Sequence, residues 1–310
     1  MSGSRSHSKV RGASDIRSDH GWNWAPGPEK KLLGRSLFCR DHLWTILNRI
    51  VSDATPDPAA EKGAERIAKV LARAGVCSRR DAERWIVDGR VSVDGRVLAT
   101  PAVTVTAAND IRVDGKPLPA PERPRLWRYH KPTGLVTSHR DDRGRPTVFD
   151  ALPKDLPRLI SVGRLDLNSE GLLLLTNDGA LARRLELPST GWLRRYKVRV
   201  HGEVRSERLA GLAMGITIDG VAYGPIRATL ERHQGSNAWI AMALREGKNR
   251  EIRRVIEYLG LQVSRLIRLS YGPFQLGNLA RGAVDEVSKK VISEQLGDAR
   301  SGAAHAYRRR

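Results

Sequence analysis

The stretch GRLDLNSEGLLLLTNDG, from Gly163 to Gly179, places one carboxylate, Asp166, in a short polar turn between two apolar runs. Leu159, Ile160 and Val162 precede the turn, and Leu172 to Leu175 follow it. Continuous apolar runs bounded by turn residues predict buried strands. A carboxylate at the rim of such a sheet, with Arg164 two residues before it, suits chemistry better than solubility. Glu170 is the nearest second carboxylate, and the pair raises the acid and base of a glycoside hydrolase. That chemistry needs two carboxyl groups flanking one bond, and Glu170 reads more simply as a polar turn residue before Gly171. His139 is a further candidate for proton transfer, but its polar loop predicts a solvated ring. No P-loop, no G-x-G-x-x-G and no H-E-x-x-H occurs. Cys39 and Cys77 stand alone, without histidines at ligand spacing, so neither a disulfide framework nor a zinc site is expected. No cofactor and no metal are expected.

The elements that must hold this turn can be read around it. Ile67, Val70, Leu71 and Ala74 follow the i, i+3, i+4, i+7 pattern of a helix face, and Gly75 is placed to stop it. Ser78 with Asp81 three residues on is a capping pattern that opens a second helix, closed at Gly89. Val91 to Val93 followed by Asp94-Gly95 predicts a strand and a tight hairpin. Arg66, Lys69 and Arg73 make a basic stripe on the first helix, and Arg79, Arg80 and Arg84 a second one. Such stripes track phosphates without reading sequence. PAPERP, Pro119 to Pro124, reads as a linker. Beyond it, strands are expected at Trp127 to His130, Tyr196 to Val200, Arg227 to Glu231, Trp239 to Leu244 and Val263 to Leu269. Helices are expected at Leu181 to Leu185, Glu207 to Met214 and Ile252 to Leu259. Mixed order without a βαβ repeat predicts an α+β fold.

The chain has 310 residues, 54 Lys and Arg against 34 Asp and Glu, and a formal net charge of +20. Length and punctuation divide it into an extension (1–64), a small basic domain (65–118), a linker (119–124), a large domain (125–296) and a basic tail (297–310). Within the extension, residues from Leu32 to Val51 could form one helix. Most of the basic surplus lies beyond the small domain, which points to a polyanionic partner docked there. No apolar run approaches the roughly 20 residues that span a bilayer, and no signal-peptide pattern opens the chain. The expected compartment is a reducing cytoplasm, the expected state a monomer.

Four motifs in order carry a resemblance. They are YHKPTGLVTSHRDDRGRPTVFDALP (Tyr129 to Pro153), the Asp166 segment, RRYKVRVHG (Arg194 to Gly202) and EGKNREIRRVIEYLGLQVSRLIRLSYG (Glu246 to Gly272). Together they resemble the bacterial ribosomal RNA pseudouridine synthases that carry an N-terminal S4-like RNA-binding domain, over roughly residues 65 to 292. The last motif is most similar to the branch acting on large-subunit (23S) RNA. The resemblance implies a small S4-like domain joined to a large, mostly antiparallel mixed sheet with flanking helices. It implies a cofactor-free reaction in which a uridine C1′–N1 bond is broken and the base is rejoined through C5.

In that family the Asp of GRLD is essential, which falls on Asp166. Tyr196 matches the active-site tyrosine that packs on the target base. Arg253 stands where the family places a basic residue paired with the catalytic Asp, while Arg254, about 100° round the helix, is expected to face RNA or solvent. Lys131, His139, Arg140, Arg143 and Arg145 resemble the substrate-side loop and are expected to contact RNA, as is Arg164. Leu266 and Gly272 are expected to shape the pocket wall. The target base must leave its stack to be reached, which is cheaper in single-stranded loops. Three alternatives remain at this point: an S4-type RNA-binding or assembly protein with an inactive synthase domain, a synthase for small-subunit (16S) RNA, and one for transfer RNA.

Overall fold

The computed structural model describes residues 63–296. The candidate helix between Leu32 and Val51, Cys39 and the basic tail lie outside the described residues.

The N-terminal part begins with β1 (Glu65–Arg66), α1 (Ile67–Arg73) and α2 (Arg79–Val87). Five short strands follow: β2 (Val91–Val93), β3 (Arg96–Val97), β4 (Thr104–Val105), β5 (Ile111–Val113) and β6 (Lys116–Pro117). They form a four-stranded sheet in the order β3-β2-β5-β6, and β1 pairs with β4. Gly75 adopts φ +79 just past α1, the left-handed position a glycine fills without cost. At the start of α2, Ser78 Oγ accepts from the Asp81 N–H at 3.0 Å, and the Asp81 carboxylate accepts from the Ser78 N–H. The hydrogen bonds from Ser78 and the neighbouring Arg84 hold the Asp81 carboxyl at about 2. Asp94 and Gly95 both take positive φ, the turn that matches strand twist in a two-residue hairpin. Ile67, Leu71, Ala82 and Ile86 pack against Val91, Val105 and Ile111 in one small core.

The larger part runs β7 (Leu126–Lys131), β8 (Ile160–Val162), β9 (Glu170–Thr176), α3 (Gly179–Glu186), β10 (Arg194–His201) and α4 (Ser206–Gly211). It continues through β11 (Ile216–Ile218), β12 (Val221–Tyr223), β13 (Ile226–Gln234), β14 (Asn237–Leu244), α5 (Glu251–Tyr258) and β15 (Gln262–Tyr271). It ends with β16 (Phe274–Gln275), β17 (Val284–Glu286) and α6 (Lys289–Leu296). One nine-stranded sheet holds these strands in the order β13-β14-β10-β15-β9-β7-β17, with β16 added to β15 and β8 added to β9; β11 and β12 pair separately. Every pairing is antiparallel except β15 with β9. The fold is α+β, as the mixed order predicts.

The Leu run is continuous because both faces of β9 are covered. Leu172 and Leu174 join Leu181 and Leu185 of α3 in one core. Leu173 and Leu175 join Trp127, Tyr129, Val148 and Leu159 in another. Alternate side chains of a strand point to opposite faces, so four leucines in a row feed two cores. Each contributes on the order of 2 kcal/mol by leaving water. A third core sits under α5, where Ile252, Val255 and Ile256 lie on Val198, Ile240 and Leu266 of the sheet.

The parallel contact of β15 with β9 is short, Ile267 opposite Glu170 and Arg268 opposite Gly171. Gly171, at φ +103, meets the Arg268 backbone so closely that a Cβ would collide with it. From there β9 exchanges β15 for β8, with Val162 opposite Leu174. The strands part at this point, and the gap opens beside the turn that carries Asp166.

Candidate active site

The turn from Gly163 to Ser169 joins β8 to β9 and is tied down on several sides. Gly163, at φ +67, starts it, and its N–H donates to the Glu186 carboxylate at the end of α3 at 2.6 Å. Thr137 Oγ1 donates to the Leu165 carbonyl at 2.8 Å, and the Gly134 N–H to the Leu167 carbonyl at 2.8 Å. The Ser169 N–H closes the turn on the Asp166 carbonyl at 3.0 Å. From the far side, Arg253 of α5 donates through Nη2 to the Asn168 carbonyl at 2.9 Å.

Arg253 also places its Nε 3.7 Å from Asp166 Oδ2. The arginine is buried, while the Asp166 side chain is 33% exposed. Burial pushes the Arg253 guanidinium below the usual arginine range, and the Asp166 charge opposes that push. Arg253 Nε is itself buried without a hydrogen-bond partner. The carboxylate thus has one face on a fixed cation and the other open to a pocket of about 730 Å³. Tyr196, Leu266, Arg164 and Arg145 line that pocket with Asp166 and Arg253. Six of the residues singled out in the sequence therefore meet in one cavity.

Arg145 is held in it by Asp141, with Nη2 to Oδ1 at 2.6 Å, and that pairing pulls the Asp141 carboxyl well below its usual range. Tyr196 is half-buried on β10, against the core beneath α5. Across the strands it lies opposite Arg268 of β15.

Other expectations need correction. Lys131 was expected against RNA, but it ends β7 at 0% exposure. Its Nζ donates to the carbonyls of Pro132 at 3.0 Å, Asp166 at 3.1 Å and Ser169 at 3.0 Å. Three backbone oxygens replace water around a buried ammonium, so the lysine is a tie under the turn. Burial pushes its pKa down to about 8, against the pull of Asp166 and Glu170. Glu170 is no solvated turn residue: it opens β9 at 1% exposure and pairs with Arg265 and with Arg281 at 2.7 Å. Both its oxygens are committed to those cations, which removes it as an acid or base partner for Asp166. Gly272 does not line the pocket. At φ +55 it lies under the Trp192 indole, where a Cβ would overlap the ring. His139 is not simply solvated, since its ring stacks on Phe149.

The basic residues divide among three places. Arg79, Arg80, Arg84 and Arg140 line a second groove between α2 and the loops before β8, and Arg164 lines both cavities. On α1, Lys69 and Arg73 both pair with Glu65 at 2.5 Å, so that stripe is partly neutralised. Arg66 precedes α1 on β1. Arg143 and Arg254 are exposed outside both cavities, Arg254 with Nη1 3.5 Å from the Tyr223 hydroxyl.

Sequence reasoning missed three buried pocket residues. Arg194 stacks over Tyr271 and donates through Nη2 to its hydroxyl at 3.1 Å. Arg268 donates through Nε to the Leu172 carbonyl at 2.7 Å, leaving Nη2 without a partner. Glu251, at the start of α5, accepts from the Lys248 N–H at 2.9 Å through one oxygen, and burial pushes its pKa up. Strand alternation could have found the arginines: Arg194 is two residues from Tyr196, and Arg268 two from Leu266.

A family model for RNA pseudouridylate synthases matches residues 125–258, and one for the S4 domain matches residues 65–112. An uncharacterized RNA pseudouridine synthase of Rickettsia prowazekii is 49% identical over 231 residues, covering 74% of this chain and 97% of that protein. The chain belongs to the RNA pseudouridine synthase family and carries an S4 domain. It is an enzyme of the isomerase class, and RNA is its partner. Ribosomal large subunit pseudouridine synthase B of Yersinia pestis is 43% identical over 236 residues, 74% of each chain. A crystal structure of a pseudouridylate synthase superposes with a TM-score of 0.52 at 27% identity, covering 74% of this chain and 99% of that one.

Proposed function

We propose that the protein converts a uridine of large-subunit ribosomal RNA to pseudouridine, with Asp166 as the essential group. The reading is carried by one observation, the Asp166 carboxylate set 3.7 Å from the buried Arg253 guanidinium at an open pocket. The reaction is an isomerisation. The C1′–N1 bond breaks, the uracil turns, C5 bonds to C1′, and the proton lost from C5 is balanced by one gained at N1. Asp166 serves either as the nucleophile at C1′ or as the base that assists sugar deprotonation. Lys131 anchors its carbonyl and Arg253 the Asn168 carbonyl two residues on, which suits a group that must meet one carbon of a large substrate.

The pocket admits a base only after it has left the stack, so a flipped uridine in a loop or bulge is the expected substrate. Tyr196 offers that base a flat face, and Leu266 an apolar wall. Arg164, exposed on the same turn, is placed to hold phosphate or the base beside the target. Leu266, Arg145 and Arg164 take substrate-positioning roles.

The large-subunit assignment rests on relatives such as the Yersinia pestis protein, named for that subunit. Among the described residues no helix is long and apolar enough to cross a membrane. The cytoplasmic compartment and monomeric state expected from the sequence remain part of this proposal. The test is release of tritium from C5-labelled uridine in large-subunit, small-subunit and transfer RNA transcripts. Release from the large-subunit RNA is expected. Release only from the small-subunit or a transfer RNA transcript would overturn the substrate and keep the reaction.

A further inference from the structure

We propose that His139, backed by Phe149, is a stacking platform for a nucleobase of the RNA that flanks the target uridine. The proposal rests on the reading of this chain as an RNA-modifying enzyme and adds to it a second base-binding position. The two rings are nearly parallel, with centroids 3.6 Å apart and 9° between planes. Phe149 packs on the core that holds Val148 and Leu159. The loop before His139 is pinned to the same segment, with the Val136 N–H on the Pro146 carbonyl at 3.0 Å and the Val148 N–H on the Val136 carbonyl at 2.9 Å. Phe149 therefore occupies one face of the imidazole rigidly. His139 is partly covered where its ring meets Phe149 and remains solvent-accessible on the second groove.

That groove, about 1310 Å³, runs between α2 of the S4 domain and the loops before β8. Arg79, Arg80, Arg140 and Arg158 line it around the imidazole. Arg140 bridges the two walls, its Nη2 3.4 Å from Asp81 Oδ1 on α2. Val87 adds an apolar side chain, 69% exposed. Thr137, Gly163, Arg164 and Glu186 line this groove and the Asp166 pocket alike, so the two are continuous. An aromatic face among guanidinium groups matches single-stranded nucleic acid, whose bases stack while its phosphates meet the cations. A peptide would use the charges and leave the ring face without a planar partner. Burial of the imidazole against its neighbours, with the Arg158 charge, pushes its pKa below the usual histidine range. An uncharged ring at neutral pH stacks without adding to the cation count.

The experiment uses the full chain. Binding of a fluorescent ten-nucleotide single-stranded RNA, and of the same RNA made abasic, is measured for wild type, His139→Ala and His139→Phe. Loss of one stacked base should weaken binding of the normal decamer roughly ten-fold in His139→Ala, while His139→Phe restores it. The abasic decamer should bind all three proteins alike. With a large-subunit transcript, His139→Ala should raise KM and leave kcat within about two-fold. Equal binding of the normal decamer by all three proteins would overturn the platform. So would an equal loss on both decamers, which would make His139 a phosphate contact, or a His139→Phe variant as weak as His139→Ala. If wild type forms pseudouridine while the platform outcome fails, only this inference falls. If wild type binds neither decamer nor transcript, the RNA reading falls and takes the platform with it.

Discussion

The setting of Asp166, the group proposed to react, comes from Arg253 and Lys131. Arg253 holds both the carboxylate and the adjacent Asn168 carbonyl, so its loss removes a charge partner and a positional tie together. Arg253→Leu is expected to lower kcat about 100-fold with KM nearly unchanged, as a small displacement of a reacting group does. Steady-state kinetics on a modified transcript check the split; a change confined to KM would make Arg253 a binding residue. Lys131 gives a prediction in pH. Its folded pKa, about 8, is below the ordinary lysine value. Between that value and roughly 10.4 the unfolded chain holds the proton that the folded chain has lost, so this lysine makes stability rise with pH through that window. Wild type should therefore gain stability relative to Lys131→Met between about pH 8 and pH 10 in urea unfolding. A difference that is flat or falling would contradict the buried ammonium. Asp166 was legible because its turn stands between two apolar runs. The place of Lys131 was not, because the oxygens that satisfy it are backbone carbonyls of other segments, and these have no signature in the sequence.

At the scale of elements, the site depends on where β15 leaves β9. Gly171 permits the approach of the Arg268 backbone, and only a residue without a Cβ fits there at φ +103. Gly171→Ala is expected to cost about 2–3 kcal/mol, combining overpacking with backbone strain. Chemical denaturation checks it, and an unchanged midpoint would show that the strands separate at little cost. Helix ends, the Asp94-Gly95 hairpin and the strand cores follow from local rules, which is why the capping serine, the stop glycines and the apolar faces could be read directly. Glu170 and the pocket arginines could not be read the same way. Whether a charged strand residue faces solvent or a buried partner depends on pairing between distant strands, here β9 with β15. The same reason hid the place of Gly272 under Trp192, two segments joined only by the fold.

For the whole molecule, the basic surplus and the two-part organisation are legible in the amino-acid sequence, and the sign of the charge points to a polyanion. Composition does not show how that charge is spent. Two cations of α1 are tied to Glu65, while those of α2 face the groove leading to Asp166. Deleting residues 65–118 is expected to weaken binding of large-subunit RNA while leaving the salt dependence largely in place, since most of the surplus charge remains. Filter binding across a salt series checks it; an unchanged dissociation constant would remove the docking role. Deleting residues 1–60 is expected to leave pseudouridine formation intact, and a loss of folding in that truncation would contradict this. The most direct measurement of the whole account is pseudouridine mapping on large-subunit RNA treated with wild type and with Asp166→Asn, with RNA affinity measured in parallel. A new pseudouridine that depends on Asp166, with affinity in the variant within a few-fold of wild type, is the expected result. A pseudouridine that persists in Asp166→Asn would contradict the central claim.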